Sequence, residues 1–253
     1  YTHLLPVQKK RSRNPGDSKE MVAARRRFLN AGHYQPIAAA VSRAALADLA
    51  PGATASCLDA GCGEGYYLRQ LAAATSDLKT LALLGLDISK WAILSAAKQD
   101  QRPNWVVGSN ANLPVLPGTL DRVLCMFGFP VYAEFARVLK PDGQLLQVDA
   151  GPEHLRELRE IIYPTLKPER TADVQAPEGF THLSTETVRY PLNLTGPEQI
   201  ADLLAMTPHL YRASAEGRAK AAALTALSVT VEVRLTRFLA RGHSHADSGT
   251  VQL

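Results

Sequence analysis

Asp59, Gly61, Gly63, Glu64 and Gly65 lie within one short stretch, LDAGCGEGYY. Glycines at alternate positions allow a tight turn and let a ligand lie directly on the backbone. The apolar run SCLDAG precedes the turn and a helical pattern over 66–75 follows it, the strand–turn–helix setting in which glycine loops hold nucleotides. A dinucleotide loop spaces its glycines G-x-G-x-x-G and offers a helix N-terminus to pyrophosphate. Here Glu64 sits inside the turn, where a carboxylate repels pyrophosphate and suits an amine or another cationic part of a ligand. Asp87 closes the next apolar run, TLALLGLDI, about twenty residues on, where an acid can take the hydroxyl pair of a ribose.

The elements that must position these residues alternate. Strands are expected at SCLDAG, TLALLGLDI, NWVVGS, LDRVLCMFG and GQLLQVDAG, with helices over 66–75, 90–99 and 133–139 between them and PEHLRELREIIYP as a further helix. Two late strand-like runs, HLSTETVRYPLNL and LSVTVEVRLTRFLAR, flank a helical pattern over 196–206. Two helices precede the first strand, over about 17–30 and 36–49, the second with Pro36 in its first turn. The expected fold is α/β: a doubly wound, mostly parallel seven-stranded Rossmann-like sheet with an N-terminal helical extension. The domain reading is a basic arm and helical extension over 1–50, the main domain over 51–242, and a disordered tail over 243–253.

Composition narrows the classes. The chain has 253 residues, 46% hydrophobic and 21% charged, enough for a sizeable core, and no apolar run approaches the roughly 20 residues of a membrane span. The three cysteines, Cys57, Cys62 and Cys125, form no C-x-x-C pair, which argues against a disulfide scaffold and a thiolate metal site; no metal site is expected in the chain as given. Sparse cysteines and no signal segment suggest a cytoplasmic protein. Up to Arg43 there are nine bases against only Asp17 and Glu20. The clusters at Lys9, Lys10, Arg11 and Arg13, and at Arg25, Arg26 and Arg27, form an electrostatic footprint for phosphates.

D-x-G-C-G-x-G followed by GLDIS resembles the S-adenosylmethionine pocket of the doubly wound methyltransferases. Asn110 and Asn112 in GSNANLP then fall where such enzymes contact adenine, and FGFP after the fourth strand falls where the methyl acceptor enters. FGFP is not the Asn/Asp-Pro-Pro-aromatic loop of amino-group methylation, and no Pro-Cys supplies the nucleophile of cytosine C5 methylation. The opening LLPVQKKRSRNPGDSKEMVAARRRFLNAGHYQP is similar to the start of the methyltransferase domain in the bacterial enzymes that methylate guanine N1 in 23S rRNA. LDAGCGEGYY, GLDISKWAI, GPEHLRELREIIY, PEGF and MTPH also match that family.

The resemblance implies S-adenosylmethionine as cofactor, 23S rRNA as partner, a guanine in a domain II hairpin loop as acceptor, and a homodimer. Within the family the chain looks closer to the branch found mostly in Gram-negative bacteria. It implies cofactor contacts by Tyr34, Gly63, Glu64 and His154. It also implies a zinc ribbon N-terminal to Tyr1, absent from this chain, so an upstream piece is expected. Guanine N1 carries a proton that must leave as the methyl arrives, and the base must leave its stack. His154, Asp149 and Glu153 are candidates to receive that proton; no catalytic residue is assigned. Phe127, Phe129 and Tyr132 are candidates to stack on the base. Alternatives are a methyltransferase acting on a quinone or other metabolite, and a non-catalytic RNA-binding protein on the same fold.

Overall fold

The computed structural model describes residues 1–6, 12–75, 80–168 and 173–242. Lys9, Lys10, Arg11 and the 243–253 tail lie outside the described residues. Among the described residues the central sheet has eight strands in the order β1-β4-β3-β2-β5-β6-β8-β7. These are β1 (Thr2–His3), β2 (Thr54–Ala60), β3 (Thr80–Asp87), β4 (Asn104–Val107), β5 (Leu120–Met126), β6 (Leu139–Ala150), β7 (Phe180–Leu194) and β8 (Leu227–Ala240). β1 to β6 pair in parallel, and β8 joins β6 and β7 antiparallel.

The doubly wound, mostly parallel sheet is the one the alternation predicts, with eight strands where the apolar runs suggest seven. The extra strand comes from the expected arm: Thr2 and His3 pair with Val106 and Val107, and Leu5 is buried. Two residues carry too little pattern to read as a strand, and only the exposed edge of β4 supplies their partners.

The central strands are apolar on both faces because helices cover both. The larger core packs α1 (Lys19–Asn30), α2 (Gln35–Leu46), α3 (Tyr66–Ala74), α4 (Lys90–Gln99), α6 (Arg156–Ile162) and α7 (Pro197–Ala205) on one face. Phe28, Ile37, Leu68, Ile93, Leu158 and Leu203 are fully or almost fully buried there. The opposite face carries Leu58, Val123 and Leu145 beneath Phe135 of α5 (Tyr132–Val138), with Phe180 and Phe238. Two short helices, α8 (His209–Arg212) and α9 (Ala215–Ala222), complete the first layer; neither is apparent in the sequence pattern. Among the described residues no helix is long and apolar enough to cross a membrane.

Candidate functional site

The glycine turn forms where β2 and β3 end together. Gly61 and Cys62 both donate backbone N–H groups to the Leu86 carbonyl, at 2.8 and 2.9 Å. Gly61, Gly63 and Gly65 have φ of +84°, +56° and +86°, the left-handed region in which a side chain is strained. Gly65 is also needed for packing: a Cβ there would lie 2.5 Å from Trp105. At Gly61 the corresponding atom meets only Asn110 Nδ2, at 3.9 Å, so that side of the turn is open to a ligand.

Asp87 is fixed by the turn it faces. Its carboxylate accepts from Gly63 N at 2.9 Å and Ser89 N at 2.8 Å, and burial raises its pKa. Asp59 is fully buried, and neither of its carboxylate oxygens has a hydrogen-bond partner. Burial, reinforced by the Asp87 charge, pushes its pKa up to about 8. Glu64 accepts from Arg69 Nη2 and Gln99 Nε2, both at 2.7 Å, through one oxygen, while the other has no partner. Asn110 Oδ1 is likewise buried and unpartnered. Native structures rarely leave such atoms unsatisfied. Among the described residues every buried side-chain oxygen or nitrogen without a partner belongs to Asp59, Glu64 or Asn110, and all three border one turn. That donor set suits S-adenosylmethionine, which brings an ammonium, a sulfonium and an adenine amine to acceptor-rich walls. Asn112 stands apart: it is exposed, and its backbone bridges Ser109.

A second cluster lies beyond the carboxyl ends of β5 and β6. Phe127 stacks on His154 with ring centroids 6.0 Å apart, and Tyr34 lies 6.2 Å from Phe127 and 6.3 Å from His154. Phe127 adopts φ +54°, strain that a large side chain seldom carries without a reason, and is 40% exposed. Tyr34 is buried at the start of α2, held from afar by Tyr190, whose hydroxyl donates to the His33 carbonyl at 2.7 Å. His154 Nδ1 accepts from the backbone N–H of Glu232 at 3.2 Å. Burial, with help from His209 and Arg159, lowers its pKa to about 4. A neutral ring with Nδ1 occupied carries its proton on Nε2, so His154 is a hydrogen-bond donor rather than a base.

Of the other two candidate proton acceptors, Glu153 is tied to Arg156 at 2.9 Å. Asp149 is oriented by a chain in which Tyr132 donates to Gln147 at 2.9 Å and Gln147 donates to Asp149 at 2.7 Å. Phe129 stands 91% exposed. All three cysteines are buried free thiols whose pKa values burial raises, as suits core residues.

The basic segment divides. Arg13 and Arg26 are exposed. Arg27 grips the Asp202 carboxylate with Nε and Nη2 at 3.1 and 2.9 Å, and Arg25 pairs with Asp17. Local spacing does not reveal Tyr190, Glu232 or Asp202 as partners, because each reaches its contact across the fold, whereas Asp17 lies only eight residues before Arg25.

A parallel sheet switching direction beside a glycine turn is where doubly wound folds bind nucleotide-like ligands, and its acceptor-lined walls fit the class of S-adenosylmethionine-dependent methyltransferases to which the family match assigns the chain. Residues 57–143 match the model of a methyltransferase domain family. YcgJ protein of Bacillus subtilis shares the fold with a TM-score of 0.51 and 19% identity, covering 83% of this chain and 99% of that one. The chain is 34% identical to a Micromonospora griseorubida protein provisionally named 23S rRNA (guanine-N(1)-)-methyltransferase, over 94% of this chain and 84% of the relative. It is 30% identical to the 23S rRNA (guanine(748)-N(1))-methyltransferase of Streptomyces fradiae, over 82% of this chain and 73% of the relative. The chain belongs to the 23S rRNA (guanine-N1)-methyltransferase family.

Proposed function

We propose that this enzyme transfers a methyl group to N1 of a guanine in 23S rRNA. The observation that carries the reading is the similarity to relatives so named, which extends through the acceptor side of the fold as well as the glycine turn. When bound, S-adenosylmethionine supplies a methyl that its sulfonium makes electrophilic. The chain's residues must then orient the acceptor and take its proton. Phe127, half-exposed at the end of β5, offers a ring for an unstacked guanine. Asp149, aimed by Gln147 and Tyr132, receives the N1 proton. His154 presents its Nε2–H to an anionic or carbonyl oxygen in the same space.

Arg13 and Arg26 stand exposed to meet phosphates, and the sequence adds the bases Lys9, Lys10 and Arg11; such contacts position RNA without reading its sequence. The proposed organisation keeps 1–50 as the RNA-facing extension and 51–242 as the methyltransferase domain. The reading includes a homodimer in the cytoplasm.

Primer extension on 23S rRNA from cells with and without the gene tests the proposal, because a methyl on guanine N1 blocks pairing and stops reverse transcriptase. The guanine named for the S. fradiae relative is the first position to inspect. Identical stops in both strains would refute an rRNA acceptor and favour a metabolite.

A further inference from the structure

Arg25 sits in the basic run of α1, yet its side chain turns inward and is only 23% exposed. Nη1 pairs with the Asp17 carboxylate, and Nη2 donates to the Met206 carbonyl at 3.3 Å. Asp17 is itself anchored, since its carbonyl accepts from Ser89 Oγ at 2.8 Å. Together these contacts press the guanidinium onto the glycine turn. A Cβ built on Gly63 would lie 3.6 Å from Arg25 Nη1 and 3.7 Å from Arg25 Cδ. Asp87, on the other side of the same glycine, feels both members of this pair, the Asp17 charge opposing that of Arg25.

Charge balance around the turn shows what that guanidinium is for. The walls carry Asp59, Glu64 and Asp87, and two of these acids present buried oxygens with no partner. S-adenosylmethionine answers them with its ammonium and sulfonium, but it also brings one carboxylate, which these walls would repel. Among the described residues two guanidiniums border the turn. Arg69 is committed to the Glu64 carboxylate, the Glu64 carbonyl and Asn30. Arg25 keeps N–H groups beyond those that hold Asp17 and Met206, in the planar fork that suits a carboxylate.

We infer that Arg25 belongs to the cofactor pocket: its guanidinium, braced by Asp17 and the Met206 carbonyl against Gly63, receives the carboxylate of S-adenosylmethionine. Asp17 is the positioning residue that holds it there. The helical extension thereby closes the cofactor pocket on one side, whatever RNA surface it presents on the other. The inference rests on the methyltransferase reading and is independent of the identity of the acceptor.

Two ligands separate this role from its alternatives. S-adenosylhomocysteine carries the carboxylate; 5′-methylthioadenosine lacks the whole amino-acid part and keeps the ribose and adenine. Calorimetric titration of the full chain with each is compared for wild type, Arg25→Gln, Arg25→Lys and Asp17→Asn. Arg25→Gln is expected to weaken S-adenosylhomocysteine roughly 10–100-fold, the range of a lost charge-assisted pair, and 5′-methylthioadenosine less than about twofold. Arg25→Lys keeps the charge and loses the fork, so it falls between; Asp17→Asn shows a smaller loss of the same selectivity. Arg26→Gln, one residue along on the exposed face, should leave both affinities unchanged. Equal losses for the two ligands in Arg25→Gln and Arg25→Lys would overturn the assignment and make Arg25 a brace for the turn. Unchanged S-adenosylhomocysteine binding would overturn it and return Arg25 to the RNA face. A wild-type chain that binds neither ligand would overturn the pocket itself, and the assignment with it.

Discussion

Replacing Asp59 by Asn should stabilise the ligand-free enzyme while weakening its hold on the cofactor. Asp59 lies fully buried at the end of β2 with both oxygens unpartnered, and burial pushes its pKa up to about 8. An unfolded aspartate releases its proton near pH ~3.9. Across that interval the folded state binds the extra proton, so stability falls as pH rises from about 4 towards 8. At roughly 1.36 kcal/mol per unit, the three or so units up to pH 7 set a ceiling of about 4 kcal/mol; relaxation and water entry reduce this to about 2. For a chain of this size each kcal/mol moves Tm by about 2–4 °C, so Asp59→Asn should gain about 4–8 °C at neutral pH and only about 1–3 °C at pH 5. Thermal melts of ligand-free protein at the two pH values measure the difference. The same substitution removes the carboxylate charge that the proposed site would turn to the cofactor's ammonium and should raise the Kd at least about tenfold. An equal gain at both pH values, or a loss at neutral pH, would refute the argument, because the buried charge would then not be the source of the cost.

Three further outcomes follow from the same geometry. Asp149→Asn should lower kcat about 10²–10⁴-fold with cofactor affinity unchanged, and Tyr132→Phe should lower it by less, as single-turnover methylation would show. His154 binds its proton less readily folded than unfolded, so wild type loses stability as pH falls from about 6.5 towards its folded value of about 4; His154→Asn, which keeps an acceptor near Nδ1, should lose less over that window in melts across pH 4–7. Gly65→Ala places a methyl against Trp105 at positive φ and should cost roughly 2–4 kcal/mol, read from urea unfolding followed by tryptophan fluorescence.

The cofactor half of the site is readable because it is local. Asp59 at the end of β2 and the glycines and Glu64 of the turn lie within seven residues, and the rule that an acid ends the following strand brings in Asp87. The helix from Lys90 to Gln99 shows in the sequence at the bounds the structure gives, since Ser89 caps it and its apolar spacing is regular. The edge strand Thr2–His3 and the short helix His209–Arg212 escape detection because neither is long enough to show a period. The fate of the bases Arg25 and Arg27 also escapes it. A charge run reads as a solvated or phosphate-binding face until two carboxylates, Asp17 eight residues before Arg25 and Asp202 far along the chain, are seen to pair with it.

By itself the sequence determined the doubly wound class, the glycine turn and its acids, and the family, because alternation and tight motif spacing are properties of neighbouring residues. Only the tertiary structure decided the protonation and roles of those residues. The raised pKa of Asp59 needs the enclosing core and the charge of Asp87 on the next strand. The donor character of His154 needs a backbone N–H from β8, far along the chain. The inward turn of Arg25 needs the Met206 carbonyl, far along the chain, to meet it beside Gly63. Each is a matter of burial and of partners distant in sequence, and those exist only once the chain has closed on itself.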